Sequence, residues 1–284
     1  MRAPLRAAFL ALALFAACRD EARVTPPPGE LRIISLSPAV TEILVALGVQ
    51  DRIVGVDRFS RDLPCCTALP ALGGLFAPDL ERTLELRPTV VFGVLSESQA
   101  SFFTQLRARG VAVHEIDTGG SLDAVIANYE KVGAALGMPV EASALEKRVR
   151  SELRQVADVR AGLPKTSVAL VVERDPLYVA GGGSFASDLI ELVNGHNVFA
   201  DLPRAYPQVS LELLAERAPD VLIDSTQSAD GPEAQAEARA YWQRFGWVKR
   251  VELIRPGIAT LPGVTLSLSA ELLAQRIHPP KARE

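Results

Sequence analysis

Short Val- and Ile-rich runs alternate along this chain with stretches of helical period, and that alternation narrows the fold more than any other feature. LRIISL (31–36), RIVGVD (52–57), TVVFGV (89–94) and VAVHEI (111–116) form a first set. SVALVVER (167–174), DVLIDST (220–226) and RVELIRP (250–256) form a second. Strand-length runs separated by helices read as βα units with mostly parallel sheets, so the fold class is α/β. Ser37 and Pro38 supply an N-cap and a first-turn proline for the helix AVTEILVALG, which Gly48 ends. At 284 residues the chain can hold one large core or two smaller ones.

Between the two sets lies the stretch from Pro139 to Pro164, in which Leu145, Val149, Leu153 and Val156 repeat at spacings of three and four. That pattern is one apolar stripe on an otherwise charged helix. At ~1.5 Å per residue, roughly 24 residues reach about 36 Å, the width of a small domain. Such a helix is either a core helix of one large domain or a rigid strut joining two α/β lobes. An internal repeat favours two lobes. DLERTLELRPTVVF (79–92) aligns with SLELLAERAPDVLI (210–223), matching Asp79 with Ser210, Leu80 with Leu211, Glu81 with Glu212, Glu85 with Glu216 and Pro88 with Pro219. The expected layout is an N-terminal lobe over 31–138, a linker helix over 139–164 and a C-terminal lobe over 165–284. Glu81 and Glu212 then form a spaced acidic pair on the outside, each also favoured near a helix N-terminus by about 0.3–1 kcal/mol.

The first thirty residues differ from the rest. Arg2 and Arg6 precede the apolar run Ala7 to Ala17, which is short of the ~20 residues a bilayer span needs but suits a secretory signal over 1–17. Ala16 and Ala17 before Cys18 resemble a bacterial lipobox, with Phe15 where that motif usually carries Leu. Cys18 is then the lipidated first residue of the mature protein, and Thr25 to Gly29 a proline-rich tether within 18–30. The alternative is an ordinary signal peptide cut elsewhere. The expected location is the periplasm or the outer side of the cell membrane. Cys65 and Cys66 are neighbours, able to bridge only through a strained ring, and their redox state stays open. A net charge of -4 and the lack of any Lys/Arg-rich run exclude nucleic acid as a partner.

RIISLSPAVTEILVALGVQDRIVGVD resembles the opening of the substrate-binding proteins that feed ABC importers of iron chelates, heme and cobalamin. The resemblance continues through DLERTLELRPTVVFG, FASDLIELVNGHNVFADLP and YPQVSLELLAERAPDVLI, in order, and covers nearly all of residues 31–278. It implies two Rossmann-like lobes joined by one long helix, a ligand in the cleft between them, little closure on binding, and a monomer. It also implies that Glu81 and Glu212 dock arginines of the membrane permease.

Within that family YPQVS is most similar to cobalamin-binding members. The positions matching the family's cleft carry Phe59, Leu75, Phe76 and Tyr206, and Arg58 and Glu173 are further ligand-binding candidates. Aromatic walls suit a large planar chelate because they give contact area with few rotamers to freeze. Phe59 stands where those members often show Tyr, in a loop one residue longer, and Leu75 stands near a place that can carry Trp. Arg58, Arg61 and Arg204 would instead suit an anionic chelate such as a ferric siderophore or heme, since guanidinium groups pair with oxyanions. The three histidines, His114, His196 and His278, have no HxxH or HxxxH spacing, which argues against a bare-metal site and for an intact chelate that brings its own coordination. No separate cofactor is expected. His114 is expected to pack in its strand and His196 to lie on the surface.

Gly181-Gly182-Gly183-Ser184 lacks the lysine of a P-loop, so a turn capped by Ser184 or Ser187 is the expectation, with a polar ligand contact left open. A different class is an extracytoplasmic sensor or hydrolase, with Glu173, Asp224 and Ser225 as hydrolytic residues. No G-x-S-x-G elbow accompanies them, so the chain is not expected to be an enzyme.

Overall fold

A computed structural model describes residues 31–74, 77–226, 231–257 and 262–279. The first lobe runs β1 (Ile33–Ser35), α1 (Pro38–Ala46), β2 (Ile53–Val56), β3 (Gly73–Gly74), β4 (Ala77–Pro78), α2 (Leu80–Glu85), β5 (Val90–Val94), α3 (Ala100–Arg107), β6 (Ala112–Ile116) and α4 (Leu122–Leu136). Its main sheet has the order β2-β1-β5-β6 with every pair parallel. A long helix, α5 (Pro139–Arg160), leads to the second lobe. That lobe comprises β7 (Thr166–Arg174), β8 (Leu177–Val179), α6 (Phe185–Leu192), β9 (Gly195–Asn197), α7 (Leu211–Arg217), β10 (Val221–Asp224), α8 (Pro232–Gln243), β11 (Val251–Leu253) and α9 (Leu266–Ile277). Its sheet runs β11-β10-β7-β8, with β9 parallel to the start of β7 and β8 antiparallel to its end.

The sequence repeat is also a backbone repeat. α2 and α7 are capped by Asp79 and Ser210, whose side chains accept from the amides of Arg82 at 3.0 Å and Leu213 at 3.1 Å. Both helices are closed by a non-glycine residue in the left-handed region, Arg87 (φ 46°) and Ala218 (φ 43°). Each stands before a buried proline that cannot continue a helix, Pro88 or Pro219, and then a central strand follows.

Both readings of the middle helix hold at once. α5 packs on α4 on one side and on α9 on the other, so it bridges the lobes. Leu145, Val149 and Leu153 are buried in one apolar cluster that contains Val40, Ile126 and Tyr129 of the first lobe together with Val168, Leu189 and Leu273 of the second. Val156 packs at its margin. Each such side chain contributes about 1.5–3 kcal/mol by leaving water. The helix ends at Arg160, short of Pro164, and is fastened to α9 by Ser267 Oγ on Glu152 at 2.7 Å and Arg160 on Glu271 at 2.9 Å. Ser37 occupies the N-cap of α1 as expected, but its side chain makes no cap bond, and Pro38 opens the helix. Among the described residues no helix is long and apolar enough to cross a membrane.

Candidate ligand-binding cleft

In open parallel sheets ligands bind beyond the carboxyl ends of the strands; Arg58, Phe59, Glu81, Glu173 and Glu212 lie at those edges, whereas Tyr206 runs beside Ala180, opposite the middle of β7. β2 ends at Val56 and is followed by Asp57, which is buried. Its carboxylate accepts from the amides of Phe59 at 3.1 Å and Ser60 at 3.3 Å and from the Ser60 hydroxyl. Ser60 Oγ lies 3.0 Å from Thr41 Oγ1, which also donates to Ser35 Oγ at 2.8 Å. Burial pushes the Asp57 carboxyl up, against the opposing pull of those hydrogen bonds. The network holds a tight turn whose tip presents Phe59, 47% exposed, with the Arg58 guanidinium 4.4 Å from its ring centroid. Asp57→Ala would strand the buried Ser60 amide and hydroxyl and the part-buried Phe59 amide. The expected cost is about 2–3 kcal/mol in a urea unfolding curve, with a loosened Phe59 tip.

Arg58 and Arg61 also line an open depression of about 400 Å³ with Asp62, Thr67 and Ala71. Cys65 is exposed and Cys66 buried in the same loop, both free, with sulfurs 2.9 Å apart; burial is the main cause of a Cys66 thiol pushed up to about 12. Leu72 and Gly73 run alongside, since Leu72 N donates to Val56 O and Arg58 N to Gly73 O. Asp79 N donates to Leu72 O, so the N-terminus of α2, with the exposed Glu81, stands at this same edge. Leu95, directly after β5, is 62% exposed and adds an apolar surface that no sequence motif marks. Leu75 and Phe76 lie outside the described residues, as do Cys18 and the rest of 1–30.

The second lobe repeats the arrangement. Leu177 pairs with Arg174 at the carboxyl end of β7, and Val209 N donates to Leu177 O. That places Ser210 and the exposed Glu212 at this edge, beside the exposed Glu173. Glu212's own amide, then the Ser210 hydroxyl, hold its carboxyl below the usual range. Among the described residues neither Glu81 nor Glu212 forms an ion pair. Tyr206 is partly buried in the strand-like segment along β8, where Val179 N donates to Pro207 O and Gly181 N to Ala205 O; burial pushes its phenol up. Arg204 is exposed on the same segment.

Three sequence alternatives acquire structural roles. The Gly181–Gly183 run is a close-approach seat, because a Cβ on any of the three would collide with carbonyls of the 200–204 loop. The amides of Gly181 and Gly182 donate to Ala205 and Leu202, and Ser184 caps α6 by accepting from Ser187 N, so the run does not form a phosphate cradle. Asp224 is occupied by Arg174 Nε at 2.8 Å, Trp242 Nε1 at 2.6 Å and the Thr226 amide, and the buried Ser225 donates to Val171 O. The histidines are engaged elsewhere. His114 stacks on Phe92, His196 is exposed beside Glu191, and His278 approaches the Val193 carbonyl. Among the described residues no cluster of His, Cys, Asp and Glu could hold a metal ion.

A sequence profile described as periplasmic binding protein matches residues 33–244. An uncharacterized ABC transporter substrate-binding lipoprotein of Bacillus subtilis is 28% identical over 89% of this chain and 82% of its own length. A vitamin B12-binding protein of Yersinia pestis is 26% identical over 76% of each. Among solved structures, the apo form of the periplasmic heme-binding protein RhuT from Roseiflexus sp. RS-1 superposes with a TM-score of 0.76 at 26% identity, covering 88% of this chain and 98% of that one.

Proposed function

Because the chain belongs to the periplasmic binding protein family, we propose that it presents a bulky metal chelate to an ABC importer, with cobalamin or a related corrinoid as the preferred ligand. The observation that carries this reading is the Phe59 tip. A half-exposed aromatic ring with a guanidinium on it is held rigidly at the carboxyl edge of one sheet, while Tyr206 is carried by the other lobe. Phe59 and Leu95 each offer exposed apolar surface after a strand of the first lobe, and aromatic surface of that kind suits a wide, flat ligand. The B12-binding Yersinia relative supports the corrinoid. The exposed Arg58, Arg61 and Arg204 and the heme-binding Roseiflexus structure favour a second reading, an anionic chelate such as heme or a ferric siderophore.

Glu81 and Glu212 are the permease contacts in this reading. They are exposed, unpaired among the described residues and equivalent in the two lobes. Cys18 is the lipid anchor, a role supported by the lipoprotein designation of the Bacillus relative. A tethered binding protein stays at high local concentration beside its importer. The hydrolase alternative loses support because Asp224 and Ser225 are committed to the internal bonds of the second lobe.

Such chelates are coloured, which makes the test simple. After incubation with cobalamin and desalting, the protein should retain the cobalamin spectrum. Phe59→Ala should weaken retention about tenfold, equivalent to the ~1.4 kcal/mol expected of a lost stacking contact. Retention of heme or a siderophore instead would replace the ligand and keep the class.

A further inference from the structure

The lobes also touch through two carboxylates that mirror each other. Glu42 belongs to α1, the first helix of the first lobe. Its Oε2 accepts from the Val264 amide at 3.0 Å and the Thr265 hydroxyl at 3.2 Å, where the second lobe's α9 begins. Asp188 belongs to the first turn of α6, the first helix of the second lobe. Its Oδ2 accepts from the Leu122 amide at 2.8 Å, the first residue of the first lobe's α4. The two helices correspond, because Glu42 stands as far before the left-handed Gly48 (φ 76°) as Asp188 stands before the left-handed Asn194 (φ 63°).

Each contact has a clear physical basis. A helix N-terminus leaves amides without intrahelical partners and carries partial positive charge, so a carboxylate from outside satisfies both. Burial is the largest influence on each carboxyl and pushes both up, so these groups sit at the lobe junction despite the cost of desolvation. The segment before α9 is shaped around Glu42. A Cβ at Gly263 would overlap the Glu42 carboxylate, and Gly263 O accepts from the Tyr129 hydroxyl of α4 at 2.8 Å. Two residues of the first lobe thus grip one short strap of the second.

We infer that Glu42 and Asp188 are a reciprocal pair of pins that fix the angle between the lobes, and with it the aperture of the chelate cleft, each by closing the N-terminus of a helix in the opposite lobe. The apolar cluster around α5 holds the lobes together by non-directional contacts, and the two carboxylates add directional anchor points that fix their relative angle. The consequence for the cleft rests on the binding-protein reading, whereas the pins themselves do not.

Hydrogen exchange of the ligand-free full chain tests the pins independently of any ligand. If the pins act together, Glu42→Ala speeds exchange about tenfold or more at Val264 and also at Leu122, across the junction, and Asp188→Ala does the same in reverse. Amides in the β5 and β10 cores stay at wild-type protection. Glu42→Gln and Asp188→Asn keep an acceptor oxygen and should restore most of the protection. Gly263→Ala, which displaces the Glu42 carboxylate without removing it, should reproduce the Glu42→Ala pattern and serves if the latter fails to fold. Exchange that rises only at the amide whose own acceptor was removed, or uniformly over the whole chain, would overturn the inference.

Discussion

Reversing the charge at Glu81 and Glu212 together, each to Arg, should abolish the proposed chelate uptake while the isolated protein's affinity for the ligand stays within about twofold. Both side chains are exposed at the N-termini of short helices, and both helices stand at the carboxyl edges of their sheets. In the proposed docking each carboxylate meets a guanidinium of the permease, and reversal sets like charges against each other across that interface. Either single reversal should reduce uptake about tenfold, because one contact remains. The caps made by Asp79 and Ser210 remain, so the protein should stay folded with a thermal midpoint lowered by a few degrees, from a positive charge replacing a negative one at two helix N-termini. Uptake by permease in reconstituted vesicles, paired with a binding titration, separates the two effects. A parallel loss of ligand affinity would place these residues in the cleft instead.

Val149→Asp gives the largest expected loss of stability. Val149 is fully buried in the α5 stripe, within a cluster that contains residues of both lobes. A carboxylate there has no nearby partner and cannot reach water, so the cost is about 3–5 kcal/mol, a large share of the roughly 5–15 kcal/mol that holds a domain together. Because the cluster is shared, both lobes should lose stability together. Trp242 and Trp247, the chain's two tryptophans, lie in the second lobe and report on it by fluorescence, while far-UV circular dichroism follows the whole chain. Coincident transitions at a lowered urea midpoint are expected. A tryptophan transition left at the wild-type midpoint would show that the helix is a strut without a common core.

The elements that depend on local pattern were legible in the sequence. Alternating strand and helix periods gave the two parallel-rich sheets, and the Leu145–Val149–Leu153 stripe located the joining helix. The repeat around Glu81 and Glu212 extended to details that periodicity cannot reach, including the left-handed Arg87 and Ala218 before their prolines. What stayed hidden depends on partners distant in sequence. Glu42 looks like any exposed helix glutamate until the strap at 263–265 closes over it. Asp57 and Ser60 look like turn residues, and their burial follows only from Thr41 and Ser35 lying beside them. Leu95 carries no motif, since a lone leucine after a strand has the same composition whether it faces a cleft or a neighbouring helix. The triple glycine reads in sequence as a turn before a helix capped by Ser184 or Ser187, and Ser184 is the cap, but the need for three glycines follows only from how closely the 200–204 loop approaches.

Calorimetric titration of the protein against cobalamin, heme and a panel of ferric siderophores reads out the proposed one-to-one binding of a bulky metal chelate. Saturable heat is expected from cobalamin at a stoichiometry of one, with much weaker heat from the others. Saturation by heme or a siderophore, with none from cobalamin, would correct the ligand within the same class. No saturable heat from any of them would mean that the protein does not bind a chelate of this kind.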